Sequence, residues 1–415
     1  MASEGSDGRR AVEVTGVGVV SPAGSDIDEV WDTLLSGQST ATSLDWAHDL
    51  TVSFGCPIRG YEPERQLTRK EIRRLAPFTR FALCAALDAV DDAGLADVDP
   101  TRCAVIVGTG GTGTGLEDDA QSMVEERDLR RINPLAVPTA MANAPAALVS
   151  IRLGFSGPSL TVSTACASGG HAIGEALRLL RDGAVDVVVA GGTEAPLSRY
   201  TLEAFGRLGA LSGRNEQPEA ASRPFDRDRD GFVMGEGAAF LVLEAPEHAA
   251  ARRARVRARL LGYGCNSDAH HLVEPHADGH GAAACMRLAL ADARTDEPVA
   301  HINAHGTSTP LNDAAESMAI ASAFDGQAPP VTSIKGVVGH LIGAAGALEA
   351  VASVLTLENG LIPPTANFTA GSVNSPPLDV VRGTPRPLSS GVVLSNSFGF
   401  GGHNVSLCFG ERQAA

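Results

Sequence analysis

A single cysteine, Cys166, stands where a strand-like stretch changes into a helix. Residues 160–164 read as an apolar strand, and small residues follow the cysteine. Apolar residues then recur at helical spacing, at Ile173, Leu177 and Leu180. A cysteine at the positive end of a helix has a lowered thiol pKa, and free backbone N–H groups there can bind a carbonyl oxygen. This stretch predicts a nucleophile on a strand-to-helix turn; a buried structural cysteine is the alternative, and the stretch alone does not decide.

Three further stretches place reactive groups directly after strands. His305 lies in the segment NAHGTSTP (303–310), Lys335 and His340 lie five residues apart before a helix, and a glycine-rich loop covers residues 396–404. Each of these has a structural interpretation, since a lone histidine at a strand end is commonly a buried side chain. Together they supply two imidazoles and an ammonium at strand ends, where sites in α/β proteins form. The set predicts a thiol nucleophile with imidazole partners.

The elements that position these groups alternate between strands and helices. A strand at 11–20 precedes a helix that we expect to be capped by Asp26 or Asp28 and to end at Gly37. The Cys166 helix lies between two strands, the second at 186–192, in a βαβ unit. The pattern starts again near residue 256. We therefore expect an α/β protein of two similar halves, 11–255 and 256–412, that share an interface.

Composition limits the function classes. The chain has 415 residues, 44% of them hydrophobic and 20% charged, which suits large buried cores and excludes a disordered protein. A formal net charge of −16 argues against nucleic acid as a partner. An acidic carrier protein would need a local basic patch, and the candidate residues are Arg69, Lys70, Arg73, Arg74 and Arg80. A solvated helix face is the alternative for this patch.

Neither a disulfide framework, a zinc site nor a membrane span is expected. The seven cysteines are scattered without C-x-x-C pairs. No signal segment opens the chain, and no apolar run reaches the length of a membrane span. We expect a soluble cytoplasmic protein.

Two patterns in the chain suggest ligands that we reject or discount. Residues 108–113 match G-x-G-x-x-G, but a polar helix at 117–126 follows where a dinucleotide site needs a second strand and a spaced acidic residue. The glycines instead allow close approach of the backbone. His270, His271, His276 and His280 form a histidine-rich segment, for which we predict an entrance loop and no metal, because a metal needs convergent ligands.

As a set, the motifs resemble the β-ketoacyl-ACP synthases, in the elongating branch of synthase II and type II polyketide ketosynthases. The resemblance runs from about residue 12 to 409. It rests on the segments TACASG (164–169), VAGGTE (189–194), RPFD (223–226), NAHGTSTP (303–310), Lys335 with GH at 339–340, GAAG (343–346) and NSFGFGG (396–402). The family implies the thiolase fold, with layers α-β-α-β-α built from two pseudo-symmetric halves, and an obligate dimer.

The resemblance also implies roles for single residues. Cys166 would take an acyl chain from acyl carrier protein, with the backbone N–H groups of Cys166 and Phe400 as oxyanion hole. His305 and His340 would promote decarboxylation of malonyl-ACP and hold the enolate. Lys335 would organise the polar network near His305 together with Glu316.

Further residues would support these groups from outside. Thr307 and Thr309 would lie behind the catalytic side chains, and Phe398 with Phe400 would belong to a gating loop. No cofactor is expected beyond the phosphopantetheine arm that carries the substrates.

The family resemblance also bears on the acyl chain. Gly111 and Ala136 stand at positions where fatty-acid elongating relatives carry bulky pocket residues, and Phe205 is a candidate pocket wall. Exchange of large residues for small opens volume, so we predict polyketide or polyene elongation, with housekeeping fatty-acid elongation as the alternative. His403 replaces a threonine of many relatives, and its role stays open.

Single residues distinguish this chain from three related classes of protein. A thiolase needs a second catalytic cysteine, whereas Cys408 lies inside a strand; an initiating synthase has asparagine where this chain has His340. A non-catalytic chain-length factor, the alternative outside enzymes, lacks the nucleophile that Cys166 provides. Whether the dimer partner is an identical chain or a chain-length factor stays open.

Overall fold

The computed structural model describes residues 11–111 and 134–412; the helix predicted at 117–126 and Gly113 of the glycine motif lie outside them. The strands are β1 Val12–Val20, β2 Thr42–Ser43, β3 Phe54–Gly55, β4 Cys103–Gly108, β5 Ser159–Val162, β6 Val187–Glu194, β7 Gly237–Glu244, β8 Ala258–Ser267, β9 Val299–Asn303, β10 Val331–Thr332, β11 Leu361–Ile362, β12 Arg386–Pro387, β13 Val392–Gly399 and β14 His403–Gly410. The helices are α1 Ile27–Ser36, α2 Arg69–Arg74, α3 Pro77–Asp92, α4 Ala136–Ala140, α5 Ala144–Leu153, α6 Ser168–Arg181, α7 Arg199–Arg207, α8 Pro246–Ala251, α9 His280–Ala293, α10 Pro310–Ala323, α11 Lys335–Val338 and α12 Ala345–Asn359.

Ten strands form one sheet whose two halves have the same order. The sequence of neighbours is β10-β9-β13-β14-β8-β1-β7-β6-β4-β5. Counted outward from the centre, each half runs through its first, fifth, fourth, second and third strand. The strand directions also agree, because β4 pairs in parallel with β5 and β6, as β9 does with β10 and β13. The halves are joined where Val12–Val14 of β1 pairs with Ala258–Leu260 of β8. This repetition is the predicted pseudo-symmetry.

Successive side chains along a strand point into different layers of the fold. In the first half, Ile106 and Leu241 face a central core, whereas Val105 and Phe240 face an outer core under α3 and α5. The second half repeats the arrangement, with α9 and α10 covering its outer face. Helices α6 and α12 fill the central core between the two half-sheets. The layers are therefore α-β-α-β-α, as the family resemblance implies.

Glycines let α6 and α12 approach each other through their backbones. A Cβ on Gly169 would lie 2.8 Å from the backbone nitrogen of Ala347, and one on Gly346 would lie 2.8 Å from that of Gly170. Real Cβ atoms do not make contacts this short, so only glycine fits at the crossing. The crossing connects the first turns of the two helices, which begin next to the reactive groups of each half.

Local signals placed most element ends correctly, and tertiary context changed others. Asp26 caps α1 and Gly37 ends it in the left-handed region, as predicted. The sequence pattern also predicts a strand at 331–334, but β10 ends at Thr332, shortly before the helical turn that starts at Lys335. It predicts a helix at 245–255, and that helix ends at Ala251. Within the described residues, no helix has both the length and the apolar character that crossing a bilayer requires.

Candidate active site

Equivalent strand ends of the two halves carry the reactive groups. Cys166 follows β5 and Lys335 follows β10, the third strand of each half, and His305 follows β9, the second strand of its half. Because β9 and β10 are parallel neighbours, His305 and Lys335 lie at the same edge of their half-sheet. Cys166 lies at the start of α6 and reaches them across the α6–α12 crossing. His340 follows Lys335 at the end of the short turn α11. The fold thus brings together the four groups that the sequence singled out.

Cys166 lies in a strained, buried turn. Ala165 has φ +50°, an uncommon value for alanine. The Thr164 N–H donates to Ser168 Oγ at 2.8 Å, which holds the turn closed. The cysteine is 5% exposed, and burial raises the pKa of its thiol to about 12, although the Lys335 charge and the Phe400 N–H act in the opposite direction. The expected lowering of the thiol pKa is therefore wrong, because desolvation outweighs the opposing contributions.

An imidazole stands against the sulfur. His340 Nε2 lies 3.0 Å from Cys166 Sγ, and the His340 ring packs edge-on against His305 at 5.4 Å between centroids. Both histidines are buried, and burial holds the pKa of each imidazole well below its usual range. Both rings are consequently neutral at physiological pH, in agreement with the enolate-binding role that the resemblance implies.

Lys335 contacts both His305 and an acidic residue on α12. Its Nζ lies 3.3 Å from His305 Nδ1 and donates to the His305 carbonyl at 2.7 Å. It also forms a buried ion pair with Glu349 on α12. Burial raises the pKa of Glu349 to about 7, while Lys335 lowers it. Sequence reasoning missed Glu349, although an acidic residue within the apolar, alanine-rich run 345–357 was the available signal.

Glu316 contacts the backbone of the segment that carries His305. Its carboxylate accepts the backbone N–H groups of His305 at 2.9 Å and Gly306 at 2.7 Å, and so holds the loop after β9. The ion-pair partner of Lys335 is Glu349, as described above. Burial raises the pKa of Glu316 to about 7 against the effect of these two N–H groups. The hydroxyls of Thr307 and Thr309 lie 2.9 Å apart.

The glycine-rich loop is shorter than predicted. β13 continues through Gly399 and β14 starts at His403, so the turn comprises residues 400–402. The Phe400 N–H contacts the Cys166 sulfur, and the Phe398 ring lies 6.0 Å from that of His305. A Cβ on Gly399 would lie 2.6 Å from the Thr164 carbonyl oxygen. The turn therefore packs directly against the cysteine.

A cavity of about 500 Å³ opens onto Cys166, His305 and His340. Its walls include Phe205, the candidate pocket wall, together with Phe232, Leu208 and Ile342, and Thr307 and Thr309 also line it. Among the described residues that line the cavity, Gly110 is present, but Gly111 and Ala136 are not. Gly111 is exposed with nothing near its Cβ position, and Ala136 starts α4. The described lining of this cavity therefore does not include them, and their place in an acyl pocket stays a prediction.

The segment around the histidines borders the mouth of this cavity. Asp268, His271, Val273, Glu274 and Pro275 all line it, which agrees with the predicted entrance loop. His403 lies opposite Gly399 at the first position of β14. In the predicted basic patch, Arg69, Lys70, Arg73 and Arg74 are exposed on α2, whereas Arg80 is half-buried on α3 and lies outside that surface.

Comparisons with known proteins agree with this arrangement. Models of the β-ketoacyl synthase N-terminal and C-terminal domains match residues 9–249 and 257–369. The 3-oxoacyl-(acyl-carrier-protein) synthase 2 of Synechocystis sp. is 40% identical over 416 residues, covering 98% of this chain and 99% of that protein.

Two solved structures extend the likeness to the whole fold. The ishigamide ketosynthase/chain length factor is 34% identical with a TM-score of 0.90, over 98% of this chain and 100% of that one. A ketosynthase bound to the hexaketide, in complex with its type II polyketide synthase acyl-carrier protein, is 32% identical with a TM-score of 0.88, over 98% and 100%. The chain therefore belongs to the β-ketoacyl synthase family of acyltransferase enzymes and has the thiolase fold.

Proposed function

We propose that the chain catalyses decarboxylative condensation of malonyl-ACP with an acyl chain held on Cys166. The observation that supports this most directly is the thiol–imidazole contact of 3.0 Å between Cys166 and His340, with a second neutral imidazole, His305, beside it in the same cavity. A nucleophile and two neutral donors in one apolar cavity suit acyl transfer followed by enolate chemistry.

In the first half-reaction, the Cys166 proton passes to His340 Nε2 as the sulfur attacks the thioester carbonyl of acyl-ACP. The new C–S bond forms, the old C–S bond to the phosphopantetheine arm breaks, and the released thiolate takes the proton. Developing charge on the carbonyl oxygen is held by the backbone N–H groups of Cys166 and Phe400. The contact of 3.0 Å between Cys166 Sγ and His340 Nε2 provides the path for this proton.

In the second half-reaction, malonyl-ACP loses carbon dioxide, and the electron pair of the broken C–C bond becomes an enolate. His305 donates to the enolate oxygen, and so does His340, whose proton lies on Nε2 once the acylated Cys166 no longer offers a thiol proton to that nitrogen. The enolate carbon then attacks the acyl carbonyl on Cys166, a C–C bond forms, and the C–S bond breaks to return the thiolate. The thiolate takes one proton from water, because loss of carbon dioxide from a carboxylate releases none. The chemistry needs no cofactor beyond the phosphopantetheine arm of the carrier.

Protein partners follow from this chemistry. We infer an acyl carrier protein as the substrate carrier and a dimer as the working unit, with either an identical chain or a chain-length factor as second subunit. Support comes from the related structures, one in complex with a carrier protein and one with a chain length factor. The exposed residues of α2 named above offer the carrier a local basic surface. The halves 11–255 and 256–412 would supply the nucleophile and the histidine–lysine groups, respectively.

For the pathway, we propose elongation of a type II polyketide or polyene chain. Support comes from the structural relative that is bound to a hexaketide and to a type II polyketide synthase acyl-carrier protein. Fatty-acid elongation is the second candidate, because a relative named synthase 2 is 40% identical over nearly the whole chain.

Intact-mass analysis with a series of acyl carrier proteins tests the proposal. The protein, alone and co-expressed with a candidate chain-length factor, should gain the acyl mass in the wild type and in Cys265→Ser, a control at the partly exposed cysteine. Cys166→Ala should gain none. Persistent labelling of Cys166→Ala would reject the nucleophile, and preference for saturated over polyene or polyketide chains would reject the pathway. Native mass of the co-expressed protein distinguishes one subunit type from two.

A further inference from the structure

Three side chains of the kinds that bind metals converge at the end of the entrance loop, where α9 begins. His276 Nδ1 and His280 Nδ1 each lie 2.7 Å from the same oxygen, Oδ1 of Asp278. The two imidazole rings stand edge to face at 4.3 Å, and His270 packs on His276 at 4.7 Å. The sequence showed histidines without showing that they converge; the turn before α9 supplies that convergence.

The turn is held open to solvent by its backbone. The Gly279 N–H donates to the His276 carbonyl at 2.9 Å, and the His280 N–H donates to Asp278 Oδ1 at 3.0 Å. Gly279 has φ +65°, and a Cβ there would lie 2.2 Å from the Ala315 carbonyl oxygen. The three ligands therefore lie on a tight turn that packs against α10.

We propose that His276, Asp278 and His280 bind a divalent transition-metal cation of the Zn²⁺, Co²⁺ or Ni²⁺ class. A site of two imidazoles and a carboxylate binds these cations in preference to Mg²⁺ or Ca²⁺. Tetrahedral ligands at about 2.0–2.1 Å from a metal lie about 3.3 Å from each other. The present spacing of 2.7 Å from imidazole nitrogen to carboxylate oxygen thus needs only a small outward movement to admit the ion.

The position of the site connects it to the turn beside Cys166. The His276 N–H donates to Asp268 Oδ2 at 3.4 Å, and the Asp268 N–H donates to the Gly402 carbonyl at 2.9 Å. Farther along the loop, the Gly401 N–H donates to the Leu272 carbonyl at 2.7 Å. An ion at the turn would restrain the segment 268–280, which borders the cavity mouth and is hydrogen-bonded to the 400–402 turn.

Any test must distinguish metal binding at this turn from metal binding at a second group of possible ligands. Among the described residues, Cys166, His305 and His340 also place their ligand atoms close together. A soft thiolate with two imidazoles can itself take up a transition metal. The experiment therefore uses Cys166→Ala protein as its background, in which the thiolate is removed and the turn at 276–280 is unchanged.

Titration of Co²⁺ into the full-length Cys166→Ala protein, followed by its visible d–d absorption and by calorimetry, tests the site. We expect one equivalent to bind, and affinity to fall about tenfold or more in His276→Ala and in His280→Ala. His48→Ala, at an exposed histidine whose Nδ1 contacts a backbone carbonyl, is the matched control and should bind as the background does.

Hydrogen exchange gives a readout independent of absorption. Saturation with Zn²⁺ should slow exchange in segment 268–280 of the background protein and leave it unchanged in His276→Ala. Equal Co²⁺ affinity in the background and both histidine variants would show adventitious binding only and overturn the site, as would failure to bind a full equivalent. Neither result bears on acylation of Cys166, so the two proposals fail separately.

Discussion

Lys335 Nζ lies 3.3 Å from His305 Nδ1, inside the protein and beside the Glu349 carboxylate. An ammonium can only donate a hydrogen bond, so Nδ1 of His305 must be the acceptor. The single proton of this neutral imidazole is then on Nε2. Lys335 is therefore a positioning residue that selects the tautomer in which His305 can donate to an enolate.

Replacing Lys335 by methionine should remove that selection. We expect Lys335→Met to reduce malonyl decarboxylation and condensation about 100- to 1000-fold, as for loss of one preorganised donor. Nitrogen NMR of labelled histidine should show His305 as a mixture of tautomers in place of Nε2–H alone. Arg227→Met, at an exposed cation outside the basic surface of α2, is the control. An unchanged His305 tautomer together with a rate within tenfold of wild type would refute the positioning role.

Removing the charge of Glu349 should destabilise the fold more than removing the charge of an exposed glutamate. Glu349→Gln leaves the Lys335 ammonium buried without its counter-ion, and breaking a buried pair costs about 3–5 kcal/mol. Urea denaturation should show this loss, while Glu216→Gln at an exposed site should leave the free energy of unfolding unchanged. The double variant Lys335→Met/Glu349→Gln should lose much less than the sum of the single variants; simple additivity would show that the two charges do not interact.

The close contact of Gly399 with the cysteine turn predicts a specific catalytic defect. In Gly399→Ala the new methyl group would lie 2.6 Å from the Thr164 carbonyl oxygen and 3.1 Å from the Cys166 nitrogen. One element must move, and a displacement of about 1 Å can cost about 100-fold in rate. We expect acylation of Cys166, measured by intact mass over time, to slow to that extent. Gly213→Ala, where the Cβ position is open, should acylate normally; equal rates for both variants would contradict the contact.

His301 predicts a pH effect on stability. It is buried on β9, neither of its ring nitrogens has a hydrogen-bond partner within the described part of the chain, and burial lowers its pKa to about 3. An unfolded histidine takes up a proton as the pH falls through about 6.5, whereas folded His301 does not, so this residue lowers the free energy of unfolding as the pH falls from about 6.5 towards 3.

Substitution His301→Leu should remove this proton linkage. Relative to wild type, the variant should gain about 2 kcal/mol between pH 7.5 and pH 5, whatever its packing costs at neutral pH. Urea denaturation of both proteins at the two pH values measures this double difference, from which the packing cost and the titration of other groups cancel. Parallel pH dependence in the two proteins would contradict the assigned burial effect.

The sequence was sufficient for the parts of the site that lie at strand ends. Cys166, His305 and Lys335 each lie within four residues of the end of a strand, where sites in α/β proteins form. Glu349 was missed because its partner is distant along the chain and the surrounding helix reads as an apolar core segment. The pKa of Cys166 was misjudged for a related reason, since helix position is visible in a sequence and the degree of burial is not.

Pocket residues were assigned from the sequence only by likeness of position to relatives. This likeness selected Gly111 and Ala136, whereas the described lining of the cavity includes the neighbouring Gly110. The meeting of the histidines at 276 and 280 was also hidden in the sequence, because it depends on a turn that a left-handed glycine closes between them.

The glycine crossing of α6 and α12 fixes the distance between the catalytic groups of the two halves. Because backbone touches backbone at Gly169 and Gly346, no side-chain rotamer can lengthen or shorten the separation between the thiol-bearing helix and the half that carries the imidazoles. The outer cores can then be remodelled by substitution, heated or strained with little effect on this separation. Chain selectivity could therefore diversify at the cavity walls while the distance from sulfur to imidazole stays constant.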